Sequence, residues 1–161
     1  MGSSLGCTRK NVSRNEASSS SCRLPRCICG CDQLSRQDID RFTDRLENVL
    51  NSRNGTEVFL KYLRHNNFGE SVKCVEFWRL CNEYRMAEPG EKPKILMDIQ
   101  QAAQDVDELD FVAVERLNNC VEQGVVEETN NCIIYLQTTV IHLLRQDYDK
   151  FRDYLLKKIN R

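Results

Sequence analysis

Apolar residues recur along most of the chain at helical spacing, in stripes separated by short polar or Gly/Pro-containing breaks. After Ser35, a residue type suited to capping a helix, Ile39, Phe42, Leu46, Val49 and Leu50 follow at intervals of three, four, three and one, which places them on one face of a first helix. Asn54-Gly55 reads as its end and Thr56 as the cap of a second helix, whose buried side includes Phe59, Leu60 and Leu63. Gly69 marks the next break. From about residue 70 to 85 a broad stripe of Cys74, Phe77, Trp78, Cys81 and Tyr84 carries the only Trp, so this helix should be central to the core. The loop Glu88–Pro93 precedes a helix opened by Pro93, with Ile95, Ile99, Ala102 and Ala103 on one side. An acidic break over 105–110 separates it from a helix with Phe111, Val114, Leu117 and Val121 inward, ending near Gly124. A helix over Thr129–Arg145 should bury Ile133, Leu136, Val140, Leu143 and Leu144, and a last one Phe151, Leu155 and Ile159. No strand-period alternation and no internal repeat competes. The expected fold is an all-α multi-helix bundle of about seven to nine helices over residues 35–161.

The first 34 residues lack this pattern. They contain a Ser run, Ser18–Ser21, and almost no large apolar side chains, too little burial to offset the entropy of ordering, so they read as a flexible tail. Charge divides the chain at the same place. Within residues 1–30, Arg9, Lys10, Arg14, Arg23 and Arg26 face only Glu16, a net +4, which leaves −5 on the remainder of a chain whose total is −1. The acidic body argues against nucleic-acid binding, which relies on clustered Lys and Arg. The basic tail suits an anionic membrane surface.

Five of the nine cysteines, Cys7, Cys22, Cys27, Cys29 and Cys31, fall in the tail. Met1–Cys7 shows neither the basic nor the apolar region of a secretory leader, so the expected compartment is the cytoplasm with reduced thiols. No apolar stretch approaches a membrane span, and the longest are interrupted by Gln137 and His142. A tetrahedral zinc site built from Cys22, Cys27, Cys29 and Cys31 is one reading of the cluster. The single-residue spacing of the last three disfavours it against reversible acylation, and unmodified thiols are the third reading. Gly2, followed by Ser3, Ser4, Leu5 and Gly6, fits N-myristoylation except that Gly6 stands where Ser or Thr is usual. One myristoyl chain binds membranes only marginally. Palmitate on Cys7 or the cysteine cluster, together with the basic residues, would supply the second signal for a protein peripheral to a membrane.

Catalytic constellations are missing from the sequence. It has no phosphate-cradling Gly-rich loop, no Gly-x-Ser-x-Gly and no His-Glu-x-x-His. The two histidines, His65 and His142, read as ordinary surface or core residues. In the body, Cys74, Cys81, Cys120 and Cys132 read as small buried hydrophobes. No metal and no cofactor is expected.

The run from Asn51 to Leu63, followed by Val75-Glu76-Phe77-Trp78-Arg79-Leu80-Cys81-Asn82-Glu83-Tyr84, resembles the regulator of G-protein signalling (RGS) domain, with its Gly, Phe-x3-Leu helix and acidic-Phe-Trp-x2-Cys-x2-Tyr signature. Asp147-Tyr148-Asp149-Lys150-Phe151 is similar to that family's Asp-Ser-Tyr-x-Arg-Phe with one residue missing. The resemblance spans about Ser35 to Lys158. It implies a monomeric bundle that binds a Gα subunit in its GTP or transition-state form and speeds GTP hydrolysis without contributing a catalytic group. The contact residues it implies are Asn66, Asn67, Lys73, Cys74, Asn118, Asn131, Asp147 and Lys150. Against the family pattern, the loop Asn66–Cys74 is about three residues longer, and Lys73 and Cys74 replace an expected Glu and Asn. Lys150 replaces an Arg whose bidentate fork it cannot reproduce. The alternative is an RGS-like scaffold or adaptor at the membrane without GTPase-activating activity, using another face such as the acidic segment Asp105-Val106-Asp107-Glu108. A self-contained enzyme has no supporting residues.

Overall fold

The structure, a computed structural model, describes residues 31–160. Among them a short 3-10 turn, Cys31–Gln33, leads into seven α-helices and no strand. These are α1 (Arg36–Asp44), α2 (Leu46–Leu50), α3 (Arg53–His65), α4 (Gly69–Met86), α5 (Lys92–Asp105), α6 (Phe111–Gln123) and α7 (Val126–Ile159). The expected all-α bundle is present.

Local signals place several boundaries. Ser35 caps α1 through a reciprocal capping box with Asp38. Pro93 lies in the first turn of α5, and Gly124, at φ 68°, closes α6 in the left-handed region. Helix α4 runs down the centre, packed against α5 on one side and α7 on another, while α6 packs on α7. Phe42, Phe59, Phe77, Leu136 and Phe151 are fully enclosed, and Trp78 is buried. Phe59, Tyr62 and Phe151 form an aromatic cluster with ring centroids 4.9–5.2 Å apart.

Three expectations are corrected. The first apolar stripe belongs to two helices, because Arg45 is extended at φ −147° between α1 and α2. The terminal carbonyls of α1, which such a break would orphan, accept hydrogen bonds from Asn48 Nδ2 onto Arg41 (3.0 Å), the Tyr148 hydroxyl onto Phe42 (2.8 Å) and Arg152 Nε onto Thr43 (2.7 Å). Asn54-Gly55 is no break: both lie in the first turn of α3, capped by Ser52, whose hydroxyl accepts from the Gly55 amide at 3.1 Å. Thr56 is buried, and its hydroxyl donates backwards to the Val49 and Leu50 carbonyls at 3.1 and 3.2 Å, closing the end of α2 instead. Finally, the two expected C-terminal helices are one 34-residue helix, α7. The polar run from Arg145 to Lys150 contains neither Gly nor Pro, and Tyr148 within it is buried.

One residue counted inward faces outward: Phe111 is 75% exposed at the first position of α6. Of the surface and core readings left open for the histidines, the surface one holds, His65 and His142 both being exposed. No helix among the described residues is long and apolar enough to cross a membrane.

Candidate functional site

At one end of the bundle, four segments drawn from three distant stretches of the sequence are joined by polar contacts. The first is the α3–α4 corner. Helix α3 ends in a Schellman motif: the Asn67 amide donates to the Arg64 carbonyl (3.2 Å) and the Phe68 amide to that of Leu63 (2.9 Å). Asn67 therefore occupies the left-handed region at φ 60°, which Asn tolerates better than most residues. Asn66 Nδ2 donates to the Tyr62 carbonyl at 2.8 Å. Both asparagines are exposed.

The second segment is the start of α4. The stretch expected as a lengthened loop, Asn66–Cys74, is mostly helix from Gly69 onward and supplies the first turn of α4. That turn carries Glu70, Ser71 and Lys73. Lys73 Nζ donates to Glu70 Oε1 at 2.6 Å, while Glu70 Oε2 accepts the Asp107 backbone amide at 3.2 Å, which ties in the third segment, the α5–α6 loop. The hydrogen bond from Lys73 holds the Glu70 carboxyl below the usual carboxylate range, with the Asp107 amide adding to it against partial burial. The same bond raises the Lys73 ammonium, assisted by the charges of Glu70, Asp107 and Asp105.

The fourth segment is α7. Buried Ser71 donates its hydroxyl to Asp147 Oδ2 at 2.6 Å, and Lys150 Nζ donates to Asp147 Oδ1 at 2.9 Å. The same ammonium sits 4.5 Å above the centre of the Phe68 ring, within cation–π range. Asp147 is thus gripped from α4 and from its own helix, and Lys150 reaches back to the α3–α4 corner.

Of the eight partner-contact candidates, Asn66, Asn67, Lys73, Asp147 and Lys150 gather at this end. Cys74 lies beneath them, buried. Its thiol is pushed up to about 12 by burial, with the carboxylates of Glu70, Glu108 and Asp147 adding to the effect, so it is a core side chain rather than a surface contact. Asn118 is half-buried on α6, accepting from Gln100 Nε2 at 2.9 Å. Asn131 lies on α7 sixteen residues before Asp147, about 24 Å away along the helix axis. Glu70, Ser71, Phe68 and Asp107 were not among the expected site residues. The i, i+3 spacing of Glu70 and Lys73 was a usable signal. Nothing local links Ser71 to Asp147.

Gly2, Cys7, Cys22, Cys27 and Cys29 lie outside the described residues, and Cys31 begins the 3-10 turn. Cys74, Cys81 and Cys132 are buried and Cys120 is half-buried, all as free thiols. Among the described residues no three His, Cys, Asp or Glu side chains converge as a metal site would need.

The regulator of G protein signaling domain matches residues 45–159, from just before α2 to the end of α7. No solved structure matches the chain.

Proposed function

Because the chain belongs to the regulator of G protein signaling family and so has a role in regulating G-protein signalling, we propose that its bundle binds a GTP-loaded Gα subunit and speeds hydrolysis by holding the mobile switch segments in their reactive arrangement. A Gα subunit already carries its catalytic Arg and its water-orienting Gln, so a partner needs only to lower the cost of ordering loops that move. The chain then acts as a GTPase activator with no catalytic residue of its own.

The observation that carries this reading is the Ser71–Asp147–Lys150–Phe68 connection. It fixes the α3–α4 corner, the first turn of α4 and the last third of α7 relative to one another before any partner arrives. Asn66 and Asn67 present exposed side-chain amides beside that anchor, suited to hydrogen bonding with switch backbone. Lys73 and Lys150 flank them. Asn118 and Asn131 would serve only a partner surface extending along α6 and α7.

One feature favours the second reading, a scaffold that binds without activating. Both site cations are already matched within the chain, Lys73 by Glu70 and Lys150 by Asp147, and Cys74 is buried where the family pattern has Asn. A single-turnover assay separates the two. With the protein in excess over GTP-loaded Gα, faster hydrolysis and tighter binding to the aluminium-fluoride state support activation. Binding with an unchanged rate supports the scaffold, and neither effect removes both.

The tail reading belongs to the same proposal. Myristate on Gly2, with palmitate on Cys7, Cys22, Cys27, Cys29 or Cys31 and the five basic residues, would hold the protein on the cytoplasmic face of a membrane. Gly2→Ala should then shift the protein from the membrane to the soluble fraction of eukaryotic cells.

A further inference from the structure

The α6–α7 face lies away from the Ser71–Asp147 anchor, and of the proposed partner contacts Asn131 lines it. A groove of about 350 Å³ lies between the two helices, lined by Asp110, Val112, Ala113, Cys132 and Tyr135 among others. Of its lining, Val112 and Tyr135 are 68% and 57% exposed, and Phe111, next to Val112 in sequence, is 75% exposed, large apolar surface of the kind that marks a binding face. Asp110 lines the groove, and the stretch of chain on either side of it is acidic. Between Lys94 and Arg116 the chain has six acidic residues, Asp98, Asp105, Asp107, Glu108, Asp110 and Glu115, and no basic one. All six are exposed, and among the described residues none is in an ion pair. The one cation in the groove wall, Arg116, is matched by Glu128 at 3.0 Å.

We propose that the segment Leu5–Arg14 of this same chain docks in the α6–α7 groove, with an aliphatic side chain of Leu5 or Val12 against Val112 and Tyr135 and with Arg9, Lys10 and Arg14 facing Asp107, Asp110 and Glu115. Charge complementarity is the first argument: the segment has three cations and no anion. Reach is the second. The start of the described chain is tied to the end of α7 by Asp32 and Lys158, 3.4 Å apart. Tyr135 lies 23 residues back along that helix, about 35 Å. Ile28 and Leu24, three and seven residues before Cys31, reach at most about 10 and 25 Å at full extension. Val12 is 19 residues before Cys31 and reaches about 65 Å. Ile28 and Leu24 thus fall short of the groove, whereas Val12, flanked by Lys10 and Arg14, reaches it. An anionic bilayer would compete for those cations, so docking and membrane attachment exclude each other.

Lys10 is the only lysine in residues 1–30, which makes carbodiimide coupling of amines to carboxylates a direct probe on the intact, unacylated chain. In the monomer fraction, mass spectrometry should find Lys10 joined to Asp107, Glu108, Asp110 or Glu115, and the links should disappear in 1 M NaCl, where screening acts over about 3 Å. The charge-reversed full chain R9E/K10E/R14E leaves the helical body untouched and should shift the NMR amide signals of Val112, Ala113, Cys132 and Tyr135. Links confined to a dimer-sized fraction would make the occupant a second copy and overturn the proposal. So would Lys10 coupling equally to acids elsewhere, such as Asp40 or Glu57, or unchanged groove amides in the reversed chain.

Discussion

Replacing Ser71 by Ala should loosen the anchor of the candidate site without unfolding the bundle. The Ser71 hydroxyl donates to Asp147 at 2.6 Å, the short distance expected when the acceptor is charged. A hydrogen bond to a charged group contributes about 1.5–3 kcal/mol. The Asp147 side chain retains 18% exposure, so water can replace part of the lost contact and the lower half of that range applies. The Ala helix preference returns about 0.5 kcal/mol. The net loss for S71A is then about 1–1.5 kcal/mol. Lys150, the other partner of Asp147, has 47% of its side chain exposed. A pair of that kind contributes about 0.2–1 kcal/mol, so K150M should cost less than S71A. Urea unfolding of S71A, D147A and S71A/D147A, with unchanged m-values, isolates the contact: the cycle should show a coupling of about 1 kcal/mol. Additivity within about 0.3 kcal/mol, or a larger loss for K150M than for S71A, would mean that Ser71 does not hold Asp147 and would take the anchor away from the proposed site.

Two further outcomes test the fold. Gly55→Ala should destabilise despite the better helix propensity of Ala, since a Cβ there would stand 2.8 Å from the Val49 carbonyl oxygen and 2.9 Å from the Phe42 ring; overpacking of about 1–3 kcal/mol outweighs a gain of about 0.5–1, and thermal unfolding should fall by several degrees. Alkaline pH should also destabilise. Burial pushes the thiols of Cys74 and Cys81 up to about 12, so between pH 9 and 12 the folded chain keeps protons that the unfolded chain has released. The contribution of these thiols is flat below pH 9 and falls above it by up to about 1.4 kcal/mol per pH unit for each, measurable as a declining urea midpoint. A midpoint constant from pH 8 to 10.5 would show that these thiols are not enclosed.

Elements whose cause is local were legible in the sequence. Pro93 and Gly124 mark the start of α5 and the end of α6 because each acts through its own backbone. The α1–α2 break was not, because the groups that satisfy the end of α1 come partly from Tyr148 and Arg152, more than a hundred residues later. Periodicity hid the break, since Phe42, Leu46, Val49 and Leu50 are buried on both sides of it. Thr56 was misplaced for a related reason: the same residue type can cap the helix that follows or close the one that precedes. In the candidate site, the exposed members came from the family pattern, whereas the contact that positions them, Ser71 to Asp147, joins two polar residues with no shared spacing.

Four residues in less than two turns of α7 explain why the site and the fold cannot vary independently. Asp147 meets Ser71, Tyr148 meets the end of α1, Phe151 packs on Phe59 and Tyr62, and Arg152 meets Thr43. One residue inserted just before them would turn all four by about 100° and advance them by about 1.5 Å, trading buried contacts for exposed ones on every side. The spacing of the chain near Asp147 is therefore held by the core. In the proposed complex a partner would meet Asp147 and Lys150 at the angle set by Tyr148 and Phe151, and what freedom the site has lies on the facing side, the start of α4 that supplies Glu70, Ser71 and Lys73.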